Sequence, residues 1–315
     1  MKILIIKLGY SETLDSEIGR IPSLGDVLRT TPILYALKNK YHDSDISWLV
    51  SEEAHPLLEG NKYLNRILIW DNFVPFQLLK EKFDILINLE KIPGVCAIAD
   101  MIDAWVKYGF RFDSQTGYYS AYEKGLDFIN YIDNKNNDNK VGDFWQKVLI
   151  EMFGEKWDKQ EYILGYKPKT VPIYSIGLNY KTGSKWLTKA MPIDKWKDVE
   201  AMLLKNGFSV SWQEGLNNIF DYIDWINSCR YIITQDSLGL HIALALKKQV
   251  VAIFGATSYK EVYPYDRCSF VLPEFSCEYM PCYNSVCIND KFCMDYISTD
   301  KIIDTFMSIA GRNII

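Results

Sequence analysis

Residues 231–257 decide the fold: Tyr231-Ile232-Ile233-Thr234 is followed by Gln235-Asp236-Ser237-Leu238-Gly239-Leu240-His241, an apolar run to Leu246, and Val250-Val251-Ala252-Ile253-Phe254-Gly255-Ala256-Thr257. The first and last runs are short, β-branched and continuously apolar. They read as strands buried on both faces, and the segment from Leu240 to Leu246 reads as the helix between them. Small and polar residues gather where each strand ends. In an open parallel sheet that is the edge on which ligands sit.

The alternation continues on the amino-terminal side. Strands are expected at Ile173 to Leu178 and Phe208 to Trp212, with helices at Ile193 to Asn206 and Ile219 to Ser228. The polar stretch Lys167-Pro168-Lys169-Thr170 suits a linker, and before it a second alternating series appears. Its strands are expected at Ile3 to Ile6, Ile46 to Val50, Arg66 to Trp70 and Asp84 to Leu89. A helix is expected from Asp26 to Lys40, and helical connections at Leu57 to Glu59 and Pro75 to Glu81. Lys7 ends the first apolar stretch. From Pro93 to about Trp145 the pattern weakens, and the segment from Asn134 to Lys140 reads as a solvated loop tip. The whole predicts an α/β chain with two doubly wound parallel-sheet domains, residues 1–165 and 166–315.

Composition narrows the partners. The 315 residues are 48% hydrophobic and 24% charged, an ordinary globular balance, and the net charge of −5 gives no global attraction for a nucleic-acid backbone. No stretch approaches the roughly 20 apolar residues that span a bilayer, so the expectation is a cytoplasmic protein, at most peripheral on the inner face of the membrane. Seven cysteines in a reducing compartment favour free thiols or metal ligands over disulfides.

Four loops carry candidate chemistry. In Ser23-Leu24-Gly25-Asp26, the carboxylate of Asp26 stands at the start of a helix. It serves there either as a helix cap or, if it faces a ligand, as a base kept ionised by the helix end. In Asp236-Ser237-Leu238-Gly239, a helix start offers N–H groups to a diphosphate. Asp236 either caps that helix or accepts a sugar or ribose hydroxyl, and His241 lies one turn on. The loop from Lys181 to Lys189 presents Lys185 and Lys189 beside Gly183, either as a solvated charged face or as a counter-charge for a departing diphosphate. Cys277, Cys282, Cys287 and Cys293 fit a structural zinc or iron site in number, although the x4, x4, x5 spacing lacks the paired x2 turns of zinc ribbons. The alternative is four reduced thiols, or a disulfide pair formed on purification.

Taken in order, these motifs resemble the family 9 glycosyltransferases, heptosyltransferase-like enzymes of the GT-B class. The matching residues are Ser23 to Pro32; Ile176-Gly177-Leu178-Asn179 with Lys185-Trp186 and Thr188-Lys189; and Thr234 to Ser237 with His241, running on to Val250 to Thr257. The resemblance implies a GT-B fold, two Rossmann-like domains facing a cleft. The amino-terminal domain would hold the acceptor, and the carboxyl-terminal domain, with its Cys-rich segment 277–293 and a final helix, the nucleotide-sugar donor. It implies an inverting transfer without a catalytic cofactor, from ADP-heptose or a similar nucleotide sugar to a lipopolysaccharide, glycan, lipid-linked or protein hydroxyl. Asp26 would be the general base, with Ser23 and Gly25 on the acceptor-side loop. Lys185 or Lys189 would steady the leaving phosphate, while Asp236, Ser237, Gly239, His241 and Thr257 would line the donor site.

Three features depart from the family pattern. Gly9 to Ile21 reads as an insertion, Leu238 separates Ser237 from Gly239, and the cysteine cluster resembles an iron-binding segment of the protein-modifying branch. The competing readings are a sugar-nucleotide epimerase and a non-catalytic nucleotide-sugar-binding assembly protein. A dinucleotide-dependent dehydrogenase is disfavoured, because Lys7-Leu8-Gly9-Tyr10 lacks the three-glycine fingerprint.

Overall fold

The computed structural model describes residues 1–10, 22–125, 144–183 and 186–312. The expected insertion, the loop tip at 134–140, and Ser184 and Lys185 fall wholly or largely outside these residues. The chain forms two compact units, Met1–Tyr166 and Lys167–Ile315. Among the described residues no helix is long and apolar enough to cross a membrane.

The first unit is built on strands β1 (Lys2–Ile6), β2 (Asp45–Val50), β3 (Arg66–Ile69), β4 (Lys82–Asn88), β5 (Asp103–Phe112) and β6 (Tyr119–Ala121). Their order is β3-β2-β1-β4-β5-β6, and only the β5–β6 pair is antiparallel. Ile3, Leu4, Ile5 and Ile6 are all fully buried, so both faces of β1 are covered. That is the physical reason the strand reads as an unbroken apolar run.

The helix expected from Asp26 to Lys40 is two helices, α1 (Leu24–Thr30) and α2 (Ile33–Lys40). Pro32 has no N–H to donate, and its ring opposes continuation of the preceding turn. The Thr31 hydroxyl instead donates to the Leu28 carbonyl at 2.7 Å and accepts the Ile163 N–H at 2.8 Å, which ties the break to the body of the unit.

The weakly patterned region contains α3's successor in the chain: after α3 (Val74–Leu78) comes α4 (Pro93–Met101), and then β5, a ten-residue strand. Charged residues interrupt β5 and hide its period. One of them, Lys107, reaches the exposed end of α4 and donates to the Ala99 and Asp100 carbonyls at 3.0 and 2.7 Å. The last helix of the unit is α5 (Trp145–Glu151).

The second unit contains β7 (Tyr174–Asn179), β8 (Val210–Trp212), β9 (Cys229–Gln235), β10 (Gln249–Ile253) and β11 (Cys268–Val271), in the order β11-β10-β9-β7-β8 with every pair parallel. Helices α6 (Ile193–Lys205), α7 (Ile219–Ser228), α8 (Leu238–Ala245) and α9 (Thr299–Arg312) connect or follow them. The short, half-buried edge strand β11 escapes the periodicity reading. Trp196, Val199 and Leu203 of α6 and Ile302, Ile303 and Phe306 of α9 pack with Ile176, Leu178, Tyr231 and Ile233 in one core. Each fully buried side chain of this size contributes about 1.5–3 kcal/mol of transfer free energy.

In both sheets the strand order reverses beside the first strand of the unit. The switch lies between β1 and β4 in one and between β7 and β9 in the other. The two candidate sites therefore have a topological address, the carboxyl ends of those four strands.

Gly109 on β5 has φ +86°, and a Cβ there would collide with the Asn88 backbone on β4. Gly109→Ala is expected to destabilise the first unit by about 2 kcal/mol or more, read as a lower denaturant midpoint. Gly94→Ala, inside α4 where a Cβ meets nothing within 4 Å, should not lower stability and should raise it by about 0.5 kcal/mol.

Candidate functional site

In the first unit the chain leaves β1 through Lys7, Leu8 and Gly9. Lys7 is fully buried, so it does not end the strand by reaching solvent. Its ammonium lies 3.4 Å from Glu90 Oε1, just beyond the end of β4. The chain is next described at Pro22, which bridges back to Tyr10, and the Ser23 N–H donates to the Gly9 carbonyl. Ser23 takes the N-cap position of α1, so Asp26 is not the capping residue. Asp26 lies in the first helical turn, with its side chain 14% exposed and 2.8 Å from Arg29 Nε. The Arg29 guanidinium also lies 5.2 Å from the centre of the Trp145 ring. Trp145 in turn donates to Thr30 Oγ1 at 3.0 Å, and that hydroxyl donates to the Asp26 carbonyl at 2.6 Å. The carboxylate is thus oriented by an ion pair yet keeps access to solvent. Gly25 beside it is half-buried.

In the second unit, Asn179 ends β7 and Thr234-Gln235 ends β9, on either side of the strand switch. The Asn179 amide donates to Thr234 Oγ1 at 2.7 Å and to Ser237 Oγ at 2.9 Å, while its oxygen accepts the Tyr222 hydroxyl. Gln213 donates to the same Tyr222 oxygen at 3.1 Å. Ser237 is therefore the N-cap of α8 by position, and its hydroxyl is engaged by Asn179. A Cβ at Gly239 would run into the Asn179 amide and the Tyr222 hydroxyl, so this network requires glycine there. That packing need, absent from a reading based on phosphate contact, accounts for the residue.

Asp236 does not cap α8. Its Oδ2 accepts from Lys189 Nζ and from Thr257 Oγ1, both at 2.6 Å, whereas Oδ1 receives no hydrogen bond from a described residue. Burial works against the charge. The Lys189 ammonium, the two hydrogen bonds and the neighbouring His241 outweigh it, and hold the carboxyl well below the usual carboxylate range. Lys189 also lies 5.0 Å from the centre of the Trp186 ring. His241 is buried in the first turn of α8. Lys185 lies outside the described residues.

The Cys-rich segment braces this centre. Thr188 donates to the Asn284 carbonyl, and the Tyr283 N–H donates to the Ala256 carbonyl at 2.9 Å. Both turns that reach Asp236 are therefore tied to the same segment. All seven cysteines are free thiols, and Cys277, Cys282, Cys287 and Cys293 line one cavity with Thr188 and Gly255. Burial and the other three thiols raise the Cys293 thiol to about 11. The expected tetrahedral centre is not assembled: among the described residues, no three His, Cys, Asp or Glu side chains are arranged to hold a metal.

Several participants had no assigned role in the motif reading, although Asn179 and Gln235 stand inside the quoted motifs. Asn179 and Gln235 each end an apolar strand with a buried amide, and a polar residue at the last position of such a run is the signal that could have marked them. Gln235 accepts the Met191 N–H and donates to the Tyr180 carbonyl. Tyr222, Gln213 and Glu90 carry no comparable local signal.

Comparison with known proteins agrees with the resemblance read from the sequence. Residues 215–293 match the family described as glycosyltransferase family 9 (heptosyltransferase). A lipooligosaccharide heptosyltransferase 2 of Campylobacter jejuni is 29% identical over 83 residues, and that stretch covers only about a quarter (26%) of each chain. A glycosyl transferase family 9 structure from Veillonella parvula superposes with a TM-score of 0.71 at 17% identity, covering 99% of this chain and 98% of that one. The Escherichia coli heptosyltransferase WaaC with ADP gives 0.67 at 12% identity, covering 98% and 100%. At these identities the structural likeness establishes the fold, two parallel-sheet α/β units of the GT-B type.

Because folding depresses the Asp236 carboxyl, the unfolded chain takes up its proton first as the pH falls. The stabilisation from this group is therefore full above about pH 5 and drains away toward pH 3 and below. Asp236→Asn should cost about 3 kcal/mol at pH 7, by leaving Lys189 without its partner. The gap between variant and parent should narrow on acidification, as measured by denaturant unfolding at pH 7, 5, 4 and 3.

Proposed function

We infer that this chain, which carries a family 9 segment in a GT-B fold, is an inverting glycosyltransferase of the heptosyltransferase type. The observation that carries this reading is the coordination of Asp236, inside the matched segment and beside the strand switch. One carboxylate oxygen accepts from Lys189 and Thr257, and the other receives no hydrogen bond from a described residue. An ionised carboxylate so held accepts hydroxyl groups of a sugar. Lys189, Ser237 and the first amides of α8 supply the positive end suited to a nucleotide diphosphate. ADP-heptose is the donor we propose, supported by the ADP named with the WaaC structure.

On the acceptor side, Asp26 takes the hydroxyl proton as the acceptor oxygen attacks the anomeric carbon. The bond from that carbon to the diphosphate oxygen breaks, the nucleotide diphosphate leaves as an anion, and the configuration inverts. Arg29 orients the Asp26 carboxylate until the acceptor arrives. Ser23 and Gly25 shape the turn from which it projects. A lipopolysaccharide-type or other glycan acceptor fits this chemistry, and so does a protein hydroxyl.

Asp26→Asn should lower kcat about 10³-fold, measured as ADP release from ADP-heptose with a heptose-deficient lipopolysaccharide as acceptor. Its calorimetric affinity for ADP-heptose should stay within about twofold of wild type. Undiminished turnover would remove Asp26 from the mechanism, and ADP-heptose turnover without any acceptor would favour an epimerase.

The four thiols on one cavity fit a soft metal ion in kind, and we propose iron or zinc there as a structural group that takes no part in the transfer step. Protein purified without oxygen should contain about one metal ion per chain, and Cys282→Ser should lower both metal content and thermal stability. Metal-free wild-type protein of full stability would rule the site out.

A further inference from the structure

At the strand switch of the first unit lies a buried ion pair that the transfer mechanism does not use. Glu90 Oε1 accepts the Leu8 N–H at 2.7 Å and the Gly9 N–H at 2.9 Å, and lies 3.4 Å from the Lys7 ammonium. Successive backbone N–H groups curl around a single carboxylate oxygen, an arrangement otherwise used to hold bound anions. Here the acceptor is a carboxyl of the protein itself: burial pushes its pKa up, and Lys7 and the two N–H groups pull against that shift.

Both ends of the device are fixed. The Glu90 N–H donates to Asn88 Oδ1 at 3.1 Å, and its carbonyl accepts from Asn88 Nδ2 at 3.2 Å and Cys96 Sγ at 3.1 Å. The same Asn88 amide reaches the Phe110 carbonyl at 2.8 Å, which anchors it to β5. On the other side, Gly9 adopts φ +93°, and a Cβ on it would come within 2.9 Å of Val27, the residue after Asp26. The Gly9 carbonyl accepts the Ser23 N–H, and the Ser23 carbonyl accepts the Asp26 N–H at 3.0 Å. Three hydrogen bonds in series therefore join the Glu90 carboxylate to the backbone of Asp26.

We propose that Glu90, held beside Lys7, is the positioning residue for the Asp26 turn, setting the Asp26 carboxylate where an acceptor hydroxyl arrives. This rests on the reading of Asp26 as the base. Stability alone gives a poor account of the pair, because a buried ion pair can often be replaced by apolar residues of similar volume without loss. What apolar residues cannot do is accept the Leu8 and Gly9 N–H groups. The carboxylate keeps those donors satisfied while the chain turns away from β1, and the direction of that turn fixes where α1 begins.

Two double variants separate these roles. Lys7→Met with Glu90→Leu removes charge and acceptor together. It should fold, lose about 10²-fold in kcat with little change in KM for ADP-heptose, and expose the amides of residues 22–31 to faster hydrogen exchange. Lys7→Met with Glu90→Gln restores an acceptor oxygen without an unpaired charge, and should recover most of the rate and the protection. In an Asp26→Asn background the first double variant should cause little further loss of rate, because it acts through Asp26.

Full kcat in the apolar variant, or an equal fold-loss in the Asp26→Asn background, overturns the proposal. If Asp26→Asn is itself fully active, the base assignment fails separately. Amide exchange at residues 22–31, which needs no substrate, then decides the structural link, and unchanged protection in the apolar variant overturns it.

Discussion

The reversal of strand order in each parallel sheet is the constraint from which the rest of this molecule follows. Crossovers that leave the first strand in opposite directions open a gap beyond its carboxyl end, and backbone groups there lose the partners that neighbouring loops would supply. Each unit meets that demand with buried polar side chains. In the first, Lys7, Asn88 and Glu90 gather between β1 and β4. In the second, Asn179, Thr234, Gln235 and Tyr222 gather between β7 and β9. Their placement follows from topology. They satisfy backbone and side-chain groups where apolar side chains could not, at the same edge as the two candidate carboxylates.

The strands were legible because burial on both faces leaves an unbroken apolar run, as in Ile3 to Ile6 and Val250 to Phe254. Helix α7 was legible because its apolar face repeats at helical spacing and Asn218 caps it, accepting the Phe220 N–H at 3.0 Å. Strand β5 was obscured by Asp103, Lys107 and Arg111, whose charges lie on exposed or half-buried positions and break the alternation. The single helix expected from Asp26 to Lys40 failed at Pro32. There apolar periodicity continued across a residue that cannot continue the hydrogen-bond ladder.

Of the candidate residues, Asp26 and Asp236 could be found because each falls in a short motif at a strand-to-helix turn. Their partners could not. Lys189 and Asp236 are 47 residues apart, and Lys7 and Glu90 are about 80 apart, so only the sheet order brings them together. Gly239 has a packing requirement that its motif does not show: Asn179 and Tyr222 occupy the space a side chain would fill. Distance along the chain hides ion pairs, and packing hides the purpose of glycines.

The two carboxylates stand in different settings, which matches the different tasks proposed for them. Asp236 spends one oxygen on Lys189 and Thr257 and sits deep enough that its ionisation depends on them, which suits a group that binds and stays charged. Asp26 meets a guanidinium that is shared with an indole ring and retains contact with solvent, so its partner can orient it without enclosing it. A base must give up part of its stabilisation when it takes a proton, and a carboxylate locked as firmly as Asp236 would resist that exchange. In the proposed mechanism the position of Asp26 matters as much as its charge. The backbone path from Glu90 through Gly9 and Ser23 constrains that position without adding a further charge to the carboxylate itself.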